Sequence, residues 1–96
     1  MNNWTFLTNH AHVLHCIAED PDARVREIAE RVGITERATL RIIGELEEAG
    51  HLTHHRVGRR NHYEIEPTTS LRHPIESHVT VGSLLDLLNA HTTADR

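Results

Sequence analysis

Apolar positions along the chain follow one spacing up to residue 50 and a different one from 51 to 65. In residues 10–19, HAHVLHCIAE, the side chains of Ala11, Leu14, Ile17 and Ala18 recur at helical intervals and predict a first helix. Asn9 is its candidate N-cap. Pro21 stops it, because proline disfavours a helical conformation at Asp20. Residues 24–32, RVREIAERV, place Val25, Ile28, Ala29 and Val32 on one stripe and predict a second helix ending at Gly33. Thr35 is then the candidate cap of a third helix reaching about Ala49, with Gly50 as its terminator. Its inner stripe is Thr39, Ile42, Ile43, Leu46 and Ala49.

From His51 the period becomes two, the spacing of a strand with one buried face. A two-residue turn at Gly58–Arg59, glycine first, suits a type II′ hairpin. That turn pairs Val57 with Arg60, Arg56 with Asn61, His55 with His62, His54 with Tyr63 and Leu52 with Ile65. Pro67 and the following TTS break the pattern, and residues 71–79, LRHPIESHV, are ambiguous. Val81, Leu84, Leu85 and Leu88 mark a last amphipathic helix, and HTTADR at 91–96 reads as a frayed tail.

The expected fold class is therefore mainly α with a small β-hairpin. A three-helix core carries a wing and an extra C-terminal helix. The organisation expected is an apolar arm at 1–8, a folded unit at 9–66, and a linker with an amphipathic helix at 67–96.

Composition narrows the function. Ninety-six residues with 38% apolar content suffice for one domain with a modest core. The single cysteine, Cys16, cannot form an internal disulfide and fits a reducing cytoplasm. MNNWTFLTNH has neither the basic nor the apolar region of a signal peptide, and no stretch is apolar enough for a membrane span. A cytoplasmic, nucleoid-associated protein is expected. No nucleophile–base pair and no cluster of carboxylates suggests an enzyme, and no cofactor is expected.

The net charge of −4 does not by itself favour a nucleic-acid partner, so local clustering has to carry that reading. All ten basic residues other than histidine are arginine, and three of them lie within residues 56–60. Two helices joined by a short glycine turn, the second one longer, describe a helix-turn-helix over residues 25–46. With Leu46 pointing inward, Arg37 points about 180° away at about 100° per residue. Arg41, Gly44 and Leu40 flank that outward direction, and Glu36 adjoins it. Such a helix reads base edges from its N-terminal part. Arginine can pair with guanine, and a leucine can rest on a thymine methyl. Arg56, Arg59 and Arg60 around Gly58 would lie along the phosphate backbone or enter the minor groove. The candidate DNA contacts are thus Thr35, Glu36, Arg37, Leu40, Arg41, Gly44, Arg56, Gly58, Arg59 and Arg60. Arg24, Arg26 and Arg31 read as a solvated face.

The stretch ITERATLRIIGELEEAGHLTHHRVGRRNHYEI, residues 34–65, resembles the winged helix-turn-helix domains of the MarR and ArsR groups of bacterial and archaeal transcriptional regulators. LEEAG at 46–50, Leu52 and GRR-x-x-Y at 58–63 carry the resemblance, which covers about residues 9–66. Two positions depart from the pattern. Thr39 stands where the group usually has valine or isoleucine, and Arg24 stands where a serine or threonine usually caps the second helix. The resemblance implies a sequence-specific regulator of transcription that binds double-stranded DNA. A winged-helix module for protein–protein interaction in the transcription machinery is the alternative, which the acidic total charge favours slightly.

A homodimer would give a palindrome-reading protein its second half-site. The apolar segments outside the winged helix are its candidate interface: Trp4, Phe6, Val81, Leu84, Leu85 and Leu88. No dedicated ligand domain is expected in a chain this short, and the effector is left open. His12 and Cys16 stand at i, i+4, but one cysteine without a Cys-x-Cys pair is weak grounds for a metal, and none is expected. Ten histidines read as scattered surface residues, with a pH response of His54, His55 and His62 as the sharper possibility.

Overall fold

A computed structural model describes residues 3–94, with side chains as far as residue 89. The elements run α1 (Asn9–Glu19), α2 (Val25–Val32), α3 (Glu36–Glu48), β1 (Leu52–Val57), β2 (Arg60–Ile65), a short 3-10 turn (Pro74–Glu76) and α4 (Val81–Ala94). Met1, Asn2, Asp95 and Arg96 lie outside the described residues, and with them the ends of the expected arm and tail.

α1 buries Val13, Leu14, Cys16 and Ile17, so its inner face is wider than the alanine-bearing stripe read from spacing. Its cap is Thr8 and not Asn9. The Thr8 carbonyl already accepts the His12 N–H, which makes Asn9 the first helical residue. The Asn9 amide oxygen instead meets His12 Nδ1 at 3.1 Å. Beyond Glu19 the chain turns, with Asp22 N–H donating to the Asp20 carboxylate and Ala23 N–H to the Asp20 carbonyl.

At the start of α2 the guanidinium of Arg24 has no acceptor to offer. The Glu27 carboxylate does the capping by accepting the Arg24 backbone N–H at 2.8 Å. Gly33 ends α2 at φ +88°, and the N–H groups of Gly33 and Ile34 both donate to the Ala29 carbonyl. Thr35 caps α3 as expected, its hydroxyl accepting from Ala38 N–H at 3.0 Å. Thr39 is fully buried, and its hydroxyl donates to the Thr35 carbonyl at 2.9 Å. This bond satisfies the polar atom that distinguishes threonine from valine, which is how Thr39 is accommodated in the core.

The hairpin has the expected register at every pair, from Leu52 opposite Ile65 to Val57 opposite Arg60. Gly58 has φ +64°, while Arg59 stays at negative φ, as a type II′ turn requires. Leu52 and Tyr63 are buried and join the hairpin's root to the core of Ile17, Ile28, Ile42 and Leu46.

The ambiguous stretch after Pro67 wraps back on the core. Ser70 bridges Thr80, Leu71 N–H donates to the Val79 carbonyl, and Gly82 N–H donates to the Pro67 carbonyl. A Cβ on Gly82 would stand 2.9 Å from the Pro67 side chain, so this crossing needs glycine. α4 continues through residues 91–94, where the sequence pattern predicts a frayed tail. Val81 and Leu85 of α4 are buried in the chain's own core, with Leu88 packed against it.

Candidate nucleic-acid interface

Capping and the buried stripe fix the rotation of α3. Because Thr39, Ile42, Ile43 and Leu46 face the core, Glu36, Arg37, Leu40, Arg41 and Gly44 are exposed on the other side. Leu40 is 57% exposed, a large apolar side chain in water on an otherwise polar face. Nothing lies within 4 Å of the place a Cβ on Gly44 would occupy.

The charges on this face are not all free. Arg41 reaches the Glu45 carboxylate at 3.4 Å, and the same carboxylate meets His10 Nε2 of α1 at 2.7 Å. The His10 hydrogen bond, with help from Arg41, holds the Glu45 carboxyl below the ordinary carboxylate range. Arg37 has no ion-pair partner among the described residues.

The wing is exposed from Thr53 to Arg60 and carries Arg56, Gly58, Arg59 and Arg60. It does not hang free. Tyr63 N–H donates to the Pro21 carbonyl at 2.9 Å, His62 Nδ1 meets the Asp22 carboxylate at 2.7 Å, and Arg60 donates to the Asp22 carbonyl at 3.3 Å. On the other face His54 is hydrogen-bonded to Glu47 of α3. The rings of His55 and His62 stand 5.2 Å apart, as their cross-strand pairing implied. Two of the three wing histidines therefore have carboxylate partners that spacing along the chain did not reveal.

Spacing along the chain also gave no sign of His51, which is buried at the joint between α3 and β1. Its Nδ1 meets Thr69 Oγ1 at 2.8 Å, and its backbone groups bond Leu46 and Glu66. Burial, then the nearby charge of Arg72, lowers its pKa and favours the neutral ring. Its position just after Gly50, where the helix has ended but the chain is still against the core, was the available signal.

The candidate interface residues between copies divide in two. Trp4 is 65% exposed and Phe6 93%, and they stack edge to face with ring centroids 5.1 Å apart. Val81 and Leu85 are committed to the core, and Leu84 and Leu88 are half-buried. Among the described side chains of α4, the large exposed apolar one is Leu87.

Burial raises the pKa of the Cys16 thiol, which disfavours the thiolate a metal would need. His12 is turned to Asn9, and Arg31 is paired to Glu19 at 2.6 Å. Among the described residues no group of three or more histidine, cysteine or acidic side chains is placed to hold a metal. No helix among them is long and apolar enough to cross a membrane.

Comparison with known proteins bears on this arrangement. A family model described as winged helix-turn-helix DNA-binding matches residues 8–52. No curated protein matches the chain. Among solved structures, the fold is similar to that of the PcaV transcriptional regulator from Streptomyces coelicolor, solved with its natural ligand, at TM-score 0.55 and 18% identity. The similarity covers 88% of this chain and 61% of that one, so this chain spans under two thirds of that regulator's length.

Proposed function

We propose that this chain is a sequence-specific regulator of transcription that lays α3 in the major groove and its wing along the backbone or minor groove, a reading supported by the winged helix-turn-helix DNA-binding model that matches residues 8–52. The observation that carries this reading is the common exposure of Arg37, Leu40, Arg41 and Gly44 on α3, opposite its buried stripe, together with Arg56, Arg59 and Arg60 on the wing. Arg37 and Arg41 would meet base edges or phosphates, Leu40 a thymine methyl, and Gly44 would admit a close backbone. Glu36 would accept from cytosine or repel other sequences. Thr35 would place its backbone near a phosphate, and Gly58 would let the wing tip approach the groove.

Genomic footprinting followed by mobility shift with competitor DNA tests the reading. A protected palindrome bound in preference to random duplex is the expected result. Binding of every duplex alike, or of none, would favour the protein-interaction module, for which the net charge of −4 speaks.

The same reading includes a homodimer. The exposed Trp4–Phe6 pair and Leu87 support an interface formed by the arm and the outer face of α4, with Leu84 and Leu88 at its edge. Removing α4 would expose the core that Val81 and Leu85 fill, so truncation is a poor test. Sedimentation of Trp4→Ser/Phe6→Ser is a better one. The variant should run as a folded monomer at concentrations where the wild type is a dimer. A wild type that is monomeric at tens of micromolar would remove the dimer from the proposal.

A further inference from the structure

Between the wing and the N-terminus of α2 the surface folds into a cavity of about 340 Å3. Arg24 lines it from the cap of α2, Arg56 from β1, Arg59 from the turn and Arg60 from β2. Arg24 is more than thirty positions from the other three in the chain, so folding and not local sequence brings it to them. Elsewhere Arg31 and Arg41 each have a carboxylate. Here Arg24, Arg56 and Arg59 form no ion pair among the described residues, and Arg60 reaches only the backbone carbonyl of Asp22. Asp22 is the one acid at the cavity, and its carboxylate is already engaged by His62.

Four permanently charged side chains therefore line one small space with one occupied counter-charge. That arrangement is repulsive in the free protein and is relieved by an anion. The first turn of α2 adds backbone N–H groups without helical partners, whose partial charge has the same sign. Tyr63 contributes a phenol to the lining. A carboxylate offers one charge and two oxygens. A phosphate group offers more oxygens, in the planar pairs that guanidinium forks match.

We propose that this cavity is a phosphate site, with Arg24 of α2 joining Arg56, Arg59 and Arg60 of the wing around one phosphate group. Two sources supply that chemistry: a backbone phosphate of DNA, which rests on the function proposed above, and a free phosphoanion, which does not.

The test uses the full chain and four proteins: wild type, Arg24→Ala, Arg24→Lys and, as a control outside the cavity, Arg26→Ala. The capping bond of α2 uses the Arg24 backbone, so loss of its side chain should leave the fold intact, which melting temperature checks. In the first arm, DNA affinity is measured against salt. Arg24→Ala should bind about tenfold more weakly with a salt slope smaller by about 0.9, while Arg26→Ala keeps the wild-type slope. Arg24→Lys should keep the slope and lose part of the affinity, because the fork is gone and the charge is not. In the second arm, pyrophosphate is titrated into wild-type protein at fixed ionic strength while the arginine Nε–H resonances are followed.

Loss in the first arm without shifts in the second assigns the site to DNA phosphate. Saturable shifts of Arg24 and Arg56, with displacement of DNA, assign it to a free phosphoanion. If wild type binds no DNA, the regulator reading fails, and the second arm alone decides the site. An unchanged salt slope in Arg24→Ala together with unmoved resonances overturns the proposal. Should Arg24→Ala not fold, Arg56→Ala replaces it in the first arm.

Discussion

Arg41 on the outward face of α3 and the arginines of the wing present the same side chain in opposite electrostatic settings. On α3, Arg41 is held by Glu45, which His10 holds in turn, while Arg37 has no ion pair among the described residues. On the wing, Arg56 and Arg59 have no ion pair among the described residues. On the proposed function, a helix arginine with a resident carboxylate must be offered something better before it lets go, so a wrong base would leave it where it is. A wing arginine would accept any phosphate. On the proposed function, an acidic protein would thereby divide the work: compensated charge would discriminate, and uncompensated charge would supply attraction.

The largest effect should come from stripping the wing. Arg56→Ala/Arg59→Ala/Arg60→Ala should weaken cognate and random duplex together by roughly a hundredfold, with the salt slope lowered by about 0.9 for each phosphate no longer neutralised. Fluorescence anisotropy on both duplexes across a salt series reads it. A loss confined to the cognate duplex would erase the contrast between the two regions.

Arg41→Ala comes next. Preference for cognate over random duplex should shrink by about 1–3 kcal/mol, with random binding altered far less. Equal weakening on both duplexes would move Arg41 into the same class as the wing.

Glu45→Gln should act in the reverse sense and more weakly. Freed of its partner, Arg41 should bind random duplex more tightly, by up to about fivefold, as expected for loss of one exposed ion pair. Competition assays with random DNA would register this. An unchanged preference would mean that Glu45 does not restrain Arg41 in solution.

The smallest effect lies at the joint between the two regions. His51 has its pKa lowered by burial, so the unfolded chain takes up a proton more readily than the folded one. Its contribution to stability is thus complete above the ordinary histidine value of about 6.5 and is lost as pH falls through the lowered, folded value. Urea melts of wild type and His51→Gln between neutral and mildly acidic pH should converge as pH falls. Parallel curves would mean that His51 does not titrate with unfolding.

What was legible in the sequence was what short-range spacing encodes. The helical stripes, the αL glycine after α2, the Thr35 cap and every pair of the hairpin follow from intervals of two to four residues and one turn. What was not legible depends on segments meeting from far apart. Val81 and Leu85 have the spacing of an interface helix, yet the fold buries them in the same core as Val13, Leu14 and Ile17 of α1. Arg24 reads as solvated until the wing is folded beside it. His10 and Glu45, thirty-five positions apart, have no local signal at all. The Asn9 cap missed by one residue, a boundary that depends on which carbonyl closes the first turn.

The three bonds from the wing to Pro21 and Asp22 have one more consequence. A hairpin joined to the body only at its root would sweep through many orientations and surrender them on contact. Here that freedom is given up when the protein folds, so association loses little of it. The distance from wing tip to α3 is then set before any partner arrives, and the pair acts as a fixed caliper. In the proposed complex, a duplex whose grooves do not match its opening would itself have to bend or narrow, at a cost that depends on the steps being deformed. Bases that no side chain touches would thereby enter the choice of site.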